Sequence, residues 1–220
     1  MPVLYIGNKN YSSWSLRPWL ALTWAGIAFE ERVIPLGGPG YGRGRIAEIR
    51  AVSPTGRVPA LDLGELVIWD SLSICEWAAE TAPSAGLWPT DAAARAICRS
   101  VVCEMHSGFG AMRRDLSMNL RRRTTPKEWP NDTADDLARV DELWRATRAR
   151  FGGGGPFLVG ARTIADAFYA PVVTRLRTYG VPLSPEAAAY SAAVLADPAF
   201  RAWEAAAEAE TWTMPGIDAL

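Results

Sequence analysis

Histidine is almost missing from this chain of 220 residues: His106 is the only one, and the three cysteines, Cys75, Cys98 and Cys103, are odd in number and lack CxxC spacing. That excludes a histidine-rich metal centre and a disulfide framework, and the three thiols read as reduced core residues. Charge of one sign is also lacking. With 23 basic against 24 acidic residues the formal net charge is −1, so there is no electrostatic footprint for nucleic acid. No apolar run approaches the ~20 residues that span a bilayer, and the opening Met1-Pro2-Val3-Leu4-Tyr5-Ile6 has no basic leader. The expectation is a cytoplasmic protein with no membrane, nucleic-acid or metal partner. Its glycines and prolines, 19 and 16 in number, cluster and so mark where elements stop.

The first junction organises the rest. Val3 to Ile6 read as a strand, and Leu16, Trp19, Leu20 and Leu22 recur at helical spacing, so Ser12, Ser13 and Ser15 crowd a helix start. A serine there is expected to satisfy an orphan N–H of the first turn. Proline fits a helix within its first turn, so Pro18 predicts a start near Trp14 or Ser15, with Ser12 and Ser13 on the incoming loop. Both hydroxyls then sit at the positive end of a helix dipole, a place for a thiolate or a carboxylate.

Residues 29–34 alternate as a second strand. A Gly/Pro-rich loop fills 35–44, a short helix passes through Ile46 and Ile49, and strands after Pro59 and at 66–69 form a hairpin across Asp62-Leu63-Gly64-Glu65. A helix opens at Asp70-Ser71. This βαβ-then-ββα order is thioredoxin-like. Pro83, Ser84, Gly86 and Pro89 mark a linker, and every later segment is helical. One long helix is expected from 92 to about 120 through Ile97, Val101, Met105, Phe109, Met112 and Leu116. Another follows through Leu137, Val140, Leu143 and Trp144. A third is opened by the cap Thr163-Ile164-Ala165-Asp166 and contains Pro171, and two Ala-rich helices finish the chain. The organisation expected is an α/β domain at 1–82, a linker at 83–90 and an all-helical domain at 91–220. On the long helix His106, Gly110, Arg113 and Ser117 form a polar stripe that would face a cleft between the domains. The clusters Arg113-Arg114 and Arg121-Arg122-Arg123 read as solvated helix ends, and Trp212 and Met214 are candidates for a lid.

Four motifs in this order resemble the soluble glutathione transferases along essentially the whole chain. Ser12-Ser13-Trp14-Ser15-Leu16-Arg17 is similar to the Ser-Ser-Cys-Ser-x-Arg signature of the zeta class, and Ser53-Pro54-Thr55-Gly56-Arg57-Val58-Pro59-Ala60-Leu61 to Asn-Pro-x-Gly-x-Val-Pro-x-Leu. Asp70-Ser71 matches the family's acidic-Ser pair, and Thr163 to Asp166 its cap in the helical domain. Trp14 stands where the zeta class has cysteine, and Pro18-Trp19 where it has Val-Arg, which leaves the class and the electrophile open.

The resemblance implies a thioredoxin-like domain followed by an all-helical one, glutathione as co-substrate, and a homodimer. It implies that Ser12 activates the thiol, with Ser13 the alternative. Val58 and a cis Pro59 would meet the cysteinyl unit, Asp70 and Ser71 the γ-glutamyl ammonium and carboxylate, and Arg43 and Arg45 the glycyl carboxylate. Trp14, Met105, His106, Phe109 and Arg113 would line the site of a small hydrophobic electrophile. A free thiol has a pKa of about 8.5, and lowering it by ~2 units takes ~2.7 kcal/mol. A hydroxyl donor to the charged sulfur supplies ~1.5–3 kcal/mol and a helix end ~0.3–1 more, so one serine at one helix start suffices. Two other activities share the fold: a glutathione-dependent isomerase of the maleylacetoacetate type, which needs a pocket for a dicarboxylate, and a non-catalytic binding or scaffold module.

Overall fold

The computed structural model describes residues 1–219. Its sheet consists of β1 (Val3–Ile6), β2 (Glu30–Val33), β3 (Ala60–Asp62) and β4 (Val67–Trp69), in the order β2-β1-β3-β4. β1 and β2 are parallel because α1 (Ser13–Trp24) crosses between them, and the β1–β3 and β3–β4 pairs are antiparallel. The β3–β4 hairpin turns at Gly64, whose φ of 93° is a region that favours glycine. α2 (Ala47–Val52) leads into β3, and α3 (Ser71–Thr81) leaves β4 and packs against α1. The fold is therefore a thioredoxin-like mixed sheet with its helices, followed by a wholly helical part, as expected.

A 3-10 turn, Pro83–Ala85, lies in the proline-rich connection. Beyond it come α4 (Ala92–Ser107), α5 (Gly110–Asp115), α6 (Asn131–Phe151), α7 (Ile164–Thr178), α8 (Pro185–Ala196), α9 (Pro198–Ala209) and α10 (Pro215–Asp218). α7 is the axis of the molecule: it packs on α1, α4 and α8, and almost all of it is buried. Its cap is built by Asp166, whose carboxylate accepts from Thr163 N–H at 2.8 Å and from Leu158 N–H at 3.1 Å. Trp144 and Trp203 are fully buried in the core.

Several expectations are corrected. The long helix is two: the chain breaks at Ser107-Gly108-Phe109, where Phe109 has φ 59° and a Cβ on Gly108 would sit 2.7 Å from the Glu104 carbonyl oxygen. His106 and Arg113 thus do not share a helical stripe. α1 begins at Ser13, so Ser13 is helical and Pro18 lies beyond the first turn. No serine side chain caps it; Ser12 Oγ instead donates to Ser15 Oγ at 2.8 Å, which also accepts from Gly7 N–H at 3.1 Å. Cys75 and Cys98 are buried but Cys103 is exposed. The tail adds α10 to the two Ala-rich helices. Among the described residues no helix is long and apolar enough to cross a membrane.

Candidate functional site

A cavity of about 490 Å³ opens between the end of β1, the start of α1, the β3 and β4 ends and the helical part. The first turn of α1 contributes Ser12, Ser13 and Trp14; the approach to β3 contributes Arg57, Val58 and Pro59; the start of α3 contributes Asp70 and Ser71. From the helical side come Arg113 of α5, Arg175 of α7 and Ile217 of α10, and the glycine-rich loop lends Gly40, Gly42 and Gly44. That loop closes onto residues 55–56 at a single tight point: Gly56 has φ 66°, and a Cβ there would lie 2.3 Å from the Gly44 carbonyl oxygen.

The two serines differ in what their hydroxyls are doing. Ser12 gives its proton to Ser15. Ser13 Oγ accepts from Arg175 Nη2 at 3.1 Å, which leaves the Ser13 proton without an acceptor among the described residues and beside a cation. Arg175 is fully enclosed, its other nitrogen donating to the Leu116 carbonyl; burial and then the charge of Arg113 lower its pKa to about 10, so it stays protonated at neutral pH.

On the thioredoxin-like side of the lining, Val58-Pro59 is a cis peptide bond, as the resemblance implied. Asp70 caps α3, its Oδ1 accepting from Leu72 N–H at 2.8 Å, and does so at φ 75°, a conformation that costs a non-glycine residue on the order of 1 kcal/mol. Ser71 is 1 % exposed, and its hydroxyl has no partner among the described residues although it lines the cavity. An unsatisfied buried hydroxyl at a helix N-terminus is suited to an anionic group. The other Asp70 oxygen is 3.4 Å from His106 Nε2.

Of the residues named for the electrophile, Trp14 and Arg113 reach the cavity, whereas Met105 and Phe109 are core residues and His106 stacks edge-on behind Trp14 with ring centroids 5.4 Å apart. Arg113 is not a solvated helix end. It donates to the Gly108 carbonyl at 2.9 Å and to that of Met105, satisfying the end of α4, and its guanidinium lies 4.9 Å from the Trp14 ring. Arg17 also lies against Trp14, 4.0 Å from the ring, buried and with no acidic ion-pair partner among the described residues; burial, then Arg113 and Arg175, holds its pKa well below the usual range. Arg43 and Arg45 do not line the cavity, and Arg57 does. Arg57, Arg175 and Ile217 were missed. Arg175 and Arg177 are the two cations in the otherwise largely apolar α7 sequence, and that was the available signal for Arg175. In the tail Met214 is buried and Trp212 is exposed, and it is Ile217 that reaches the cavity.

Residues 11–81 match the family model described as glutathione S-transferase, N-terminal domain. Maleylacetoacetate isomerase of Rattus norvegicus is 28 % identical over 191 residues, covering 84 % of this chain and 82 % of the relative. Maleylpyruvate isomerase of a Ralstonia species is 28 % identical over 197 residues, 80 % of this chain and 86 % of the relative. Among solved structures, a glutathione transferase from Methylococcus capsulatus aligns over 94 % of this chain and 99 % of its own with a TM-score of 0.69 at 26 % identity. A glutathione transferase homologue from Burkholderia, solved with bound glutathione, has a TM-score of 0.70 at 20 % identity over 95 % of this chain and 99 % of its own, a likeness of fold. With the motif order, the sheet topology and these matches together, residues 11–81 match the glutathione S-transferase N-terminal domain and the whole chain has the fold of the soluble glutathione transferases, to which it is similar.

Proposed function

We propose that this protein is a glutathione-dependent enzyme in which bound thiolate attacks a small electrophile, the thioredoxin-like part (1–82) holding glutathione and the helical part (91–220) completing the electrophile side. The observation that carries the reading is one cavity lined by two buried serine hydroxyls, Ser13 and Ser71, whose protons have no acceptor among the described residues. Ser13, accepting from Arg175, has a proton free for a thiolate; Ser71, buried and unsatisfied, suits the γ-glutamyl carboxylate at the α3 N-terminus. Asp70 would answer the ammonium and Val58 the cysteinyl backbone. In this reading Ser13 replaces Ser12, the residue the resemblance favoured, as the thiol's partner, and Ser12 shapes the turn through Ser15.

Arg113 and Arg175 favour a more specific second reading, an electrophile that carries a carboxylate. Neither has an acidic ion-pair partner among the described residues, and both line the cavity. The relatives named for isomerising maleylacetoacetate and maleylpyruvate act on unsaturated carboxylates, whose addition and release of a thiolate permits rotation about the former double bond. The test has two stages. Calorimetry with glutathione comes first, and absence of binding would favour the non-catalytic module. Turnover of maleylacetone is then compared with conjugation of a neutral aryl halide. Faster maleylacetone turnover, lowered in Arg113→Met and Arg175→Met by more than aryl halide conjugation is, supports the carboxylate reading; conjugation alone supports the hydrophobic electrophile. A cytoplasmic homodimer belongs to the same proposal, with the exposed Leu66 and Trp69 near the β4 edge as apolar surface for a partner copy to cover; sedimentation equilibrium measures it.

A further inference from the structure

The turn that presents the two serines is held by the far end of the chain. Backbone groups of residues 9 and 10 find no partner in the sheet: Lys9 N–H donates to Glu210 Oε1 at 2.7 Å and Asn10 N–H to Glu210 Oε2 at 3.1 Å. One carboxylate thus spans two successive amides. The Tyr11 hydroxyl donates to Asp218 Oδ1 at 2.9 Å and accepts from Arg121 Nη2 and from Met214 N–H, each at 3.2 Å. Asn119 ties the two anchors together, accepting from Asn10 Nδ2 at 3.0 Å and donating to Asp218 Oδ1 at 2.8 Å. Arg121 donates to the carbonyls of Glu210 and Trp212.

Asn10, Tyr11, Asn119 and Met214 are all buried, so these groups have little water to replace a lost partner. The geometry also settles the role of Tyr11. It lines the cavity next to Ser12, yet its single proton is committed to Asp218 and is not available to a thiolate. Two residues on from Tyr11 is Ser13, whose N–H donates to the Tyr11 carbonyl at 3.0 Å, so a shift of the turn is transmitted to the Ser13 hydroxyl.

We propose that residues 210–218 are a strap that positions the serine turn for thiol activation, with Glu210 and Asp218 as positioning residues and Ile217 as a wall that shapes the electrophile subsite. This rests on the reading of Ser13 as the partner of the thiolate. A carboxamide at 210 keeps the size of the side chain but offers one acceptor oxygen where two are used, and a carboxamide at 218 weakens the hold on Tyr11.

The test compares Glu210→Gln, Asp218→Asn and Ile217→Ala with the wild type by calorimetry with glutathione, ultraviolet titration of the bound thiol, and steady-state kinetics with the aryl halide. For Glu210→Gln and Asp218→Asn the expected result is glutathione affinity within about twofold of wild type, a thiol pKa raised by about one unit and kcat lowered about tenfold. Ile217→Ala should leave the titration unchanged and move the electrophile KM severalfold. Where Asp218→Asn does not fold, Tyr11→Phe severs the same anchor and is read in the same way. A variant titration and kcat equal to wild type overturn the strap. A wild type that binds no glutathione overturns the reading beneath it, which the first calorimetric run shows by itself.

Discussion

At the scale of single residues, the site turns on where a proton can go. A serine hydroxyl has one proton, and Ser12 spends it on Ser15 whereas Ser13 receives a bond from Arg175 and keeps its own. Ser13→Ala is therefore expected to raise the pKa of bound glutathione by about 1–2 units, equivalent to the ~1.5–3 kcal/mol of a hydrogen bond to a charged group. Ser12→Ala should instead act through the turn and lower the thermal midpoint with a smaller change in titration. Ultraviolet titration of the two complexes separates them, and a shift in Ser12→Ala alone would return the role to Ser12. Ser71 is different because the proposed function assigns it to the non-reacting γ-glutamyl end. Ser71→Ala should weaken glutathione binding by about tenfold or more with kcat at saturation little changed, since one bond to a carboxylate is removed in ground and transition states alike. Unchanged affinity by calorimetry would remove Ser71 from the site.

At the scale of elements, two helix ends carry the consequences. The α4–α5 break is set by Gly108 and by the left-handed Phe109, and the carbonyls it frees are taken by the Arg113 guanidinium, which brings that arginine to the cavity. The apolar period ran through the break because Met105, Phe109 and Met112 are all buried on either side of it. The two glycines flanking Phe109 were the local signal against one helix. The start of α7 was legible in full, because a capping motif needs only four residues. Its Asp166 is wholly buried, and burial raises the carboxyl to about 6 in spite of the donors from Leu158 and Thr163. The folded pKa lies above the ordinary ~3.9, so between pH ~4 and ~6 the native state binds more protons than the unfolded chain and stability from this group falls as pH rises. Asp166→Asn should remove on the order of 2–3 kcal/mol of that slope while lowering stability at pH 5. Denaturant melts of both proteins at pH 4.5, 5.5 and 7 measure it, and parallel curves would show that Asp166 ionises normally.

For the whole molecule, the seam between α1 and α7 holds a charge without a counter-charge. Arg17 lies between the Trp14 and Phe168 rings, 4.0 and 4.6 Å from them, with Nε and Nη1 unpartnered among the described residues. Ring faces attract a cation, but they return less than water would, so the folded state bears a desolvation cost. Arg17→Met fills the same space without the charge and is expected to leave stability unchanged or raise it by ~1–2 kcal/mol in urea unfolding. It should also relieve the repulsion on Arg113 and Arg175. A loss of more than ~1 kcal/mol would mean that the cation–ring contacts outweigh desolvation.

What the sequence determined by itself was what local chemistry decides. Apart from the α4–α5 break and α10, the order of strands and helices, the hairpin, the caps at Asp70 and Thr163 and the gathering of serines at the α1 start all follow from periodicity and turn residues a few positions apart. These elements were enough to identify the fold and the main wall of the cavity, from Ser12 and Ser13 through Val58 and Pro59 to Asp70 and Ser71. Only the tertiary structure decided which hydroxyl is free, because that depends on Arg175 reaching Ser13 across 162 positions. The same holds for the strap, in which Glu210 meets the Lys9 amide from 201 positions away. No periodicity couples residues at such distances. Packing brings them together, and the buried amides, hydroxyls and guanidinium groups then accept whatever partners the folded chain has placed within reach.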